Sequence, residues 1–152
     1  MRLTGARPLE CRLAEKRHLK GNTLTFPKLE SKGKRSERVI WLNAEALEIV
    51  KRLASVNPEG KLFRNGKGTP WKKDAFARRF SRLSVRLRMP HLIPYSLRFT
   101  FATESVLAGL DSIFLAKLMG HSLTKMLERV YAKHSKRGDF MLEQLNRAVA
   151  GL

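Results

Sequence analysis

Cysteine is almost missing: Cys11 is the only one in 152 residues, so no internal disulfide framework staples this chain. Acidic side chains are scarce, 13 Asp and Glu against 31 Lys and Arg. Long apolar runs are missing as well. The stretch Ile113-Phe114-Leu115-Ala116 is broken by Lys117, far short of the ~20 residues of a spanning helix. The N-terminal arginines Arg2, Arg7 and Arg12 precede no apolar signal core. No internal repeat or low-complexity segment stands out. These absences argue against a disulfide-rich secreted scaffold, a helical membrane protein and a repeat array. They make the cytosol, or the nucleoid within it, the expected home.

What is present is positive charge. The net charge of +18 and the sequence pI near 11.0 are accompanied by 43% hydrophobic residues, enough for a buried core in one domain. Such an imbalance repels itself in a compact state unless an anion offsets it. A nucleic acid is the expected partner class, and a basic ribosomal component is a rival of the same charge. Charge by itself names no chemistry.

The chain reads as α-rich mixed α/β. Residues 1–20 read as the end of one helix, with Leu9, Leu13 and Leu19 on an apolar face. Thr23 to Pro27 and Arg38 to Leu42 read as two strands of a β-hairpin, joined by a long basic turn, Lys28 to Glu37. Asn43 is placed to cap a helix running to Ser55, and Asn57-Pro58-Glu59-Gly60 stops it. Further helices are expected from Trp71 to Arg88, Tyr95 to Leu107, Asp111 or Ser112 to Met119, Leu123 to His134, and Phe140 to Val149.

Five positions invite a chemical reading. Arg98 follows Tyr95 by one turn, so the two share a helix face. His121 lies in a Gly-His-Ser break between helices, and Tyr131 follows on a short basic helix. Arg7 comes after a turn-like Thr4-Gly5-Ala6, and Lys32 sits in the basic hairpin turn. Taken singly, each has a plainer reading as surface charge, helix cap or core packing. Together they make a set suited to phosphodiester transfer. Two arginines can clamp charge on the non-bridging oxygens, a mobile lysine can protonate a leaving oxygen, and a tyrosine can attack phosphorus.

The segments carrying these residues resemble the tyrosine recombinases of the phage integrase family. Thr4-Gly5-Ala6-Arg7-Pro8-Leu9-Glu10 resembles the first arginine box. Ser31-Lys32-Gly33-Lys34 through Arg38-Val39-Ile40 is similar to the lysine-bearing hairpin. Tyr95-Ser96-Leu97-Arg98-Phe99-Thr100 resembles the second arginine box. Leu118-Met119-Gly120-His121-Ser122, with Tyr131-Ala132-Lys133-His134, resembles the histidine and nucleophile boxes. The boxes come in the family's order along nearly the whole chain.

The resemblance implies a catalytic domain over residues 1–152, helical with a small antiparallel β-hairpin or sheet. The family's separate core-binding domain, normally ahead of the first box, is expected to be absent. Arg7 and Arg98 would grip the scissile phosphate, with Glu10 supporting the site. Lys32, or Lys34 beside it, would protonate the leaving 5′ oxygen. His121 would hydrogen-bond a phosphate oxygen. Tyr131 would form a 3′-phosphotyrosyl link, completing site-specific recombination or integration after reverse attack by a 5′-hydroxyl. Tyr95 stands where the box usually begins with histidine; a phenol near ~10 is a poorer base than an imidazole near ~6.5, so its role is open between a weak general base and a hydrogen bond to the phosphate. It is also a rival tyrosine to Tyr131, which its box favours as nucleophile. No metal, nucleotide or other cofactor is implied. The implied partners are double-stranded DNA and further copies of the chain, a tetramer on DNA. A catalytically disabled, DNA-binding remnant is the alternative function.

Overall fold

The computed structural model describes residues 1–34, 36–120 and 138–150. The chain forms two compact units, Met1–Phe101 and Ala102–Leu152. The expected helix over 123–134 lies outside the described residues.

The first unit opens differently from the expectation of one helix over residues 1–20. Helix α1 covers only Pro8–Leu13. Pro8 opens it because a first-turn N–H has no helical partner to lose. Ala14 leaves the helix at φ −58, ψ 131, and Glu15 pairs as an isolated bridge with Lys61. A 3-10 turn, Lys16–His18, then leads into strand β1, Leu19–Lys20. The leucine spacing suited a helix, but backbone pairing with distant residues won: Leu62 N–H donates to Ala14 O at 2.8 Å.

Strands β2, Thr23–Phe26, and β3, Arg38–Trp41, form the expected hairpin. Strand β1 extends it to a three-stranded antiparallel sheet in the order β1-β2-β3. Lys20 pairs with Thr23 across a two-residue turn in which Gly21 has φ +56, the conformation tight hairpins require. The β2–β3 register pairs Leu24 with Ile40 and Phe26 with Arg38. All four are buried, so the period-2 alternation of the sheet carries Arg38 onto the same face as Ile40.

Helix α2, Ala44–Val56, is capped by Asn43, whose side chain accepts from Ala46 N–H at 2.9 Å. It presents Ala46, Val50 and Ala54 to a core shared with Ala6, Ala14, Leu24, Phe26, Ile40, Leu42 and Leu62. Helix α3, Lys73–Arg86, is narrowly amphipathic. Its Phe76 and Phe80 stack edge-on with Trp71 in a chain of T-shaped contacts, 5.7 and 5.3 Å between centroids. Lys72, Lys73, Arg78, Arg79, Arg82 and Arg86 stay exposed.

Helix α4, Pro94–Leu107, runs through the division between the units. Ser96 secures its start, accepting from Ile93 N–H at 3.1 Å. In the second unit Ala102, Val106, Leu115, Ala116 and Met119 are buried. Helix α5, Ser112–Met119, is capped by Asp111, which accepts from Ile113 and Phe114 N–H groups, and ends at Gly120 with φ +63. Helix α6, Gly138–Ala150, buries Phe140 and exposes Leu142, Leu145 and Val149.

Candidate active site

The most heavily buried ionised cluster of the first unit gathers around Glu10 on α1. Its Oε2 accepts from Arg7 N–H at 2.6 Å, which also caps the start of the helix. Its Oε1 accepts from Arg7 Nη1 at 2.7 Å and from Arg38 Nε at 3.1 Å. Arg38 donates besides to Val39 O at 2.7 Å. Burial pushes the Glu10 carboxyl upward, but Arg38 and Arg7 outweigh it and hold the group below the usual carboxylate range.

Arg98 joins this cluster from α4. It is only 1% exposed, the largest fully buried side chain among the described residues. Its Nη1 donates to Gly5 O. Gly5 has φ +62, closed by its own N–H donating to Met1 O at 2.9 Å, so the turn before Arg7 needs glycine's freedom. Burial, and then the nearby Arg7 cation, draw the Arg98 guanidinium down to about 10, partly opposed by Glu10. The group is still a cation at neutral pH, but one whose surroundings make the charge costly. A phosphate anion would reverse that balance, and guanidiniums offer the paired donors that phosphate geometry fits.

The expected site residues are thus placed unevenly. Arg7 and Arg98, far apart in sequence, are brought to one cluster with Glu10. Tyr95 lies on the first turn of α4 and is 49% exposed. Lys32 is exposed at the tip of the β2–β3 connection, and so is Lys34. Among the described residues no hydrogen bond or ion pair joins Lys32 to the arginine cluster. His121 and Tyr131 lie outside the described residues. Arg38 was not singled out from the sequence, although Arg-Val-Ile-Trp alternation already set it on the face of Ile40. A buried arginine on a strand next to an acidic helix residue is the signal that would have found it.

Two other features do not make a site. An apolar cavity of about 110 Å³ lies between α1, the sheet and α2, lined by Leu3, Cys11, Leu24, Ile40 and Val50 among others, with few polar groups converging on it. Burial pushes the Cys11 thiol up, away from the reactive thiolate. Among the described residues no group of three or more His, Cys, Asp or Glu is arranged to hold a metal ion. No helix among them is long and apolar enough to cross a membrane.

Comparison with known proteins bears on the family and the fold. The model of the phage integrase family matches residues 1–137, a span that includes all the boxes. Among solved structures, XerA recombinase superposes with a TM-score of 0.65 at 18% identity, covering 87% of this chain and 54% of that one. The Tn1549 transposon integrase in complex with transposon right end DNA gives 0.67 at 20% identity, covering 90% and 56%. XerH site-specific recombinase bound to a palindromic difH substrate gives 0.65 at 20% identity, covering 93% and 42%. The chain therefore spans about half the length of the recombinases whose fold it shares. No curated protein matches it. With a family match over most of its length and the fold of these recombinases, the chain belongs to the phage integrase family.

Proposed function

We propose that this chain carries the strand-cutting site of a site-specific DNA recombinase and works through a 3′-phosphotyrosyl intermediate. The observation that carries this reading is the meeting of Arg7 and Arg98 at one buried, carboxylate-braced cluster. Arg98 is 1% exposed and Arg7 is paired with the buried Glu10, so two guanidiniums from distant parts of the sequence share one carboxylate-braced cluster. Arg7 and Arg98 hold the non-bridging oxygens of the scissile phosphate, while Glu10 holds Arg7 and Arg38 braces Glu10. Tyr95, half-exposed one turn before Arg98, is suited to hydrogen-bond the same phosphate. Tyr131 supplies the nucleophile and His121 a hydrogen bond to a phosphate oxygen; both roles rest on their boxes. Lys32 gives its proton to the departing 5′ oxygen. One phosphodiester is exchanged for another ester of similar energy, so the chain's own side chains suffice for the chemistry, and rejoining is the same step reversed.

The partner is duplex DNA, in keeping with the net charge of +18 and the exposed basic residues of α3. The exposed Leu142, Leu145 and Val149 of α6 suit assembly with further copies of the chain on DNA. The place of action is the nucleoid.

Covalent trapping tests the reading. The chain is mixed with nicked suicide duplexes, drawn from a random pool by the chain's own binding, and denatured. A protein–DNA adduct that survives Tyr95→Phe and vanishes in Tyr131→Phe is expected. Intact DNA binding without any adduct would favour a binding remnant instead.

A further inference from the structure

The connection that carries Lys32 is fastened outside the arginine cluster, by Glu30. Glu30 ends a short 3-10 turn, Lys28–Glu30, two residues before Lys32. Its Oε1 lies 2.8 Å from Arg17 Nη1, and its Oε2 lies 2.8 Å from Arg17 Nη2 and 3.0 Å from His18 Nε2. His18 is 1% exposed and packs its ring on Phe26 at 4.4 Å between centroids. Its Nδ1 accepts from Glu15 N–H at 3.1 Å. A neutral imidazole that accepts at Nδ1 carries its proton on Nε2, and here that proton faces Glu30. The ring is therefore fixed by packing and at both nitrogens. Arg17 is braced in turn by Glu15, at 2.5 Å.

Beyond Glu30 the loop closes on itself. Ser31 Oγ lies 2.9 Å from Lys28 O and 2.5 Å from Ser36 O, so Ser31 is tied to both sides of the connection. Lys34 N–H donates to Ser31 O at 3.2 Å, making Lys32 and Gly33 the centre of a β-turn. Gly33 has φ +84 at the third turn position, where a type II turn calls for glycine. With Lys32 in that turn, two residues beyond Glu30, the direction of Lys32 follows from how the base of the loop is held.

We propose that Glu30, held by His18 and Arg17, is a positioning residue that aims Lys32 at the leaving oxygen. This rests on Lys32 being the general acid of the proposed reaction. A general acid has to lie within hydrogen-bond reach of the oxygen it protonates, and small misplacements of catalytic groups are costly, on the order of 10²-fold per ångström in rate. Exposed ion pairs contribute little stability of their own. The Arg17 pair therefore matters for direction more than for folding, whereas the bond to the buried His18 Nε2 serves both.

The test uses the full chain with Glu30→Ala, Glu30→Gln and Lys32→Ala. Two selected suicide duplexes are compared, one with the ordinary bridging 5′ oxygen at the scissile bond and one with sulfur in its place. A thiolate leaves without a proton, so sulfur removes the need for the acid. Glu30→Ala is expected to slow cleavage of the oxygen duplex by about 10²-fold and to cleave the sulfur duplex at nearly the unmodified rate. Glu30→Gln, which keeps one acceptor oxygen, falls between. Amide exchange at Ser31 and Lys34 speeds up in Glu30→Ala by more than exchange in strands β2 and β3, which follows any loss of overall stability. Glu30→Ala that is equally slow on both duplexes, or unimpaired on both, overturns the proposal. Lys32→Ala that sulfur does not rescue strikes instead at Lys32 as the acid. If the chain cleaves neither duplex, the proposed function falls, and unchanged exchange at Ser31 and Lys34 in Glu30→Ala would overturn the anchoring as well.

Discussion

Replacing Glu10 with glutamine is the sharpest probe of the arginine cluster, because it keeps the shape and removes the charge. The carboxylate takes three hydrogen bonds, from Arg7 N–H at 2.6 Å, Arg7 Nη1 at 2.7 Å and Arg38 Nε at 3.1 Å. An amide keeps one acceptor oxygen and turns the other position into a donor facing donors. Hydrogen bonds to charged groups contribute about 1.5–3 kcal/mol each, and removing one partner of a buried ion pair costs about 3–5 kcal/mol. Glu10→Gln should therefore lose about 3–5 kcal/mol at pH 7, a drop in melting temperature on the order of 10 °C for a chain of this size. The sign with pH follows from the carboxyl being held below its usual range. The stabilisation is fully present above the unfolded value of 4.5 and is lost as pH falls through the lower folded value. Urea unfolding from pH 7 down to pH 3 should show the gap between the two proteins closing in acid. The exposed Glu45→Gln serves as control, within about 0.5 kcal/mol. A loss under about 1 kcal/mol at pH 7, or a gap that persists in acid, would show that the carboxylate is not what holds the arginines.

Three further outcomes follow from the same structure. Leu62 is 0% exposed in the core, so Leu62→Ala should cost about 2–5 kcal/mol by urea unfolding. Asn43→Ala and Asp111→Ala each remove a helix cap, and each should cost about 1 kcal/mol, with Asn43→Asp nearly neutral. Hydrogen bonds from Lys61 and then Arg17 draw the Glu15 carboxyl down to about 2. Its contribution is present above pH 4.5 and fades toward pH 2, so Lys61→Met should flatten the stability profile across that window, measured by urea midpoints.

Much of this protein is decided by its linear sequence. The charge of +18 is fixed by composition before any fold is known, and with it the expectation of a polyanionic partner. Helices α2 to α6 are legible because local signals agree: Asn43 and Asp111 as caps, Gly120 as a left-handed stop, and apolar residues at helical spacing. The β2–β3 hairpin is legible from its two β-rich runs around a polar turn. The boxes around Arg7, Lys32, Arg98, His121 and Tyr131 are patterns of neighbours in sequence, so the family resemblance could be read without coordinates.

Tertiary structure decided what depends on residues distant in sequence. The leucines of residues 1–20 carried a helical period, yet pairing of Ala14 and Glu15 with the segment at Lys61 and Leu62 cut the helix short, and Leu19 went to strand β1. No local signal contains that competition, because the partner lies far along the chain. The same holds for the site. The turn at Gly5 meets the Arg98 guanidinium across 93 positions of sequence, and Arg38 reaches Glu10 across 28. Sequence decided which side chains are cations. Only folding decided which of the 31 basic residues would gather around one carboxylate, where low solvent exposure strengthens every charge interaction.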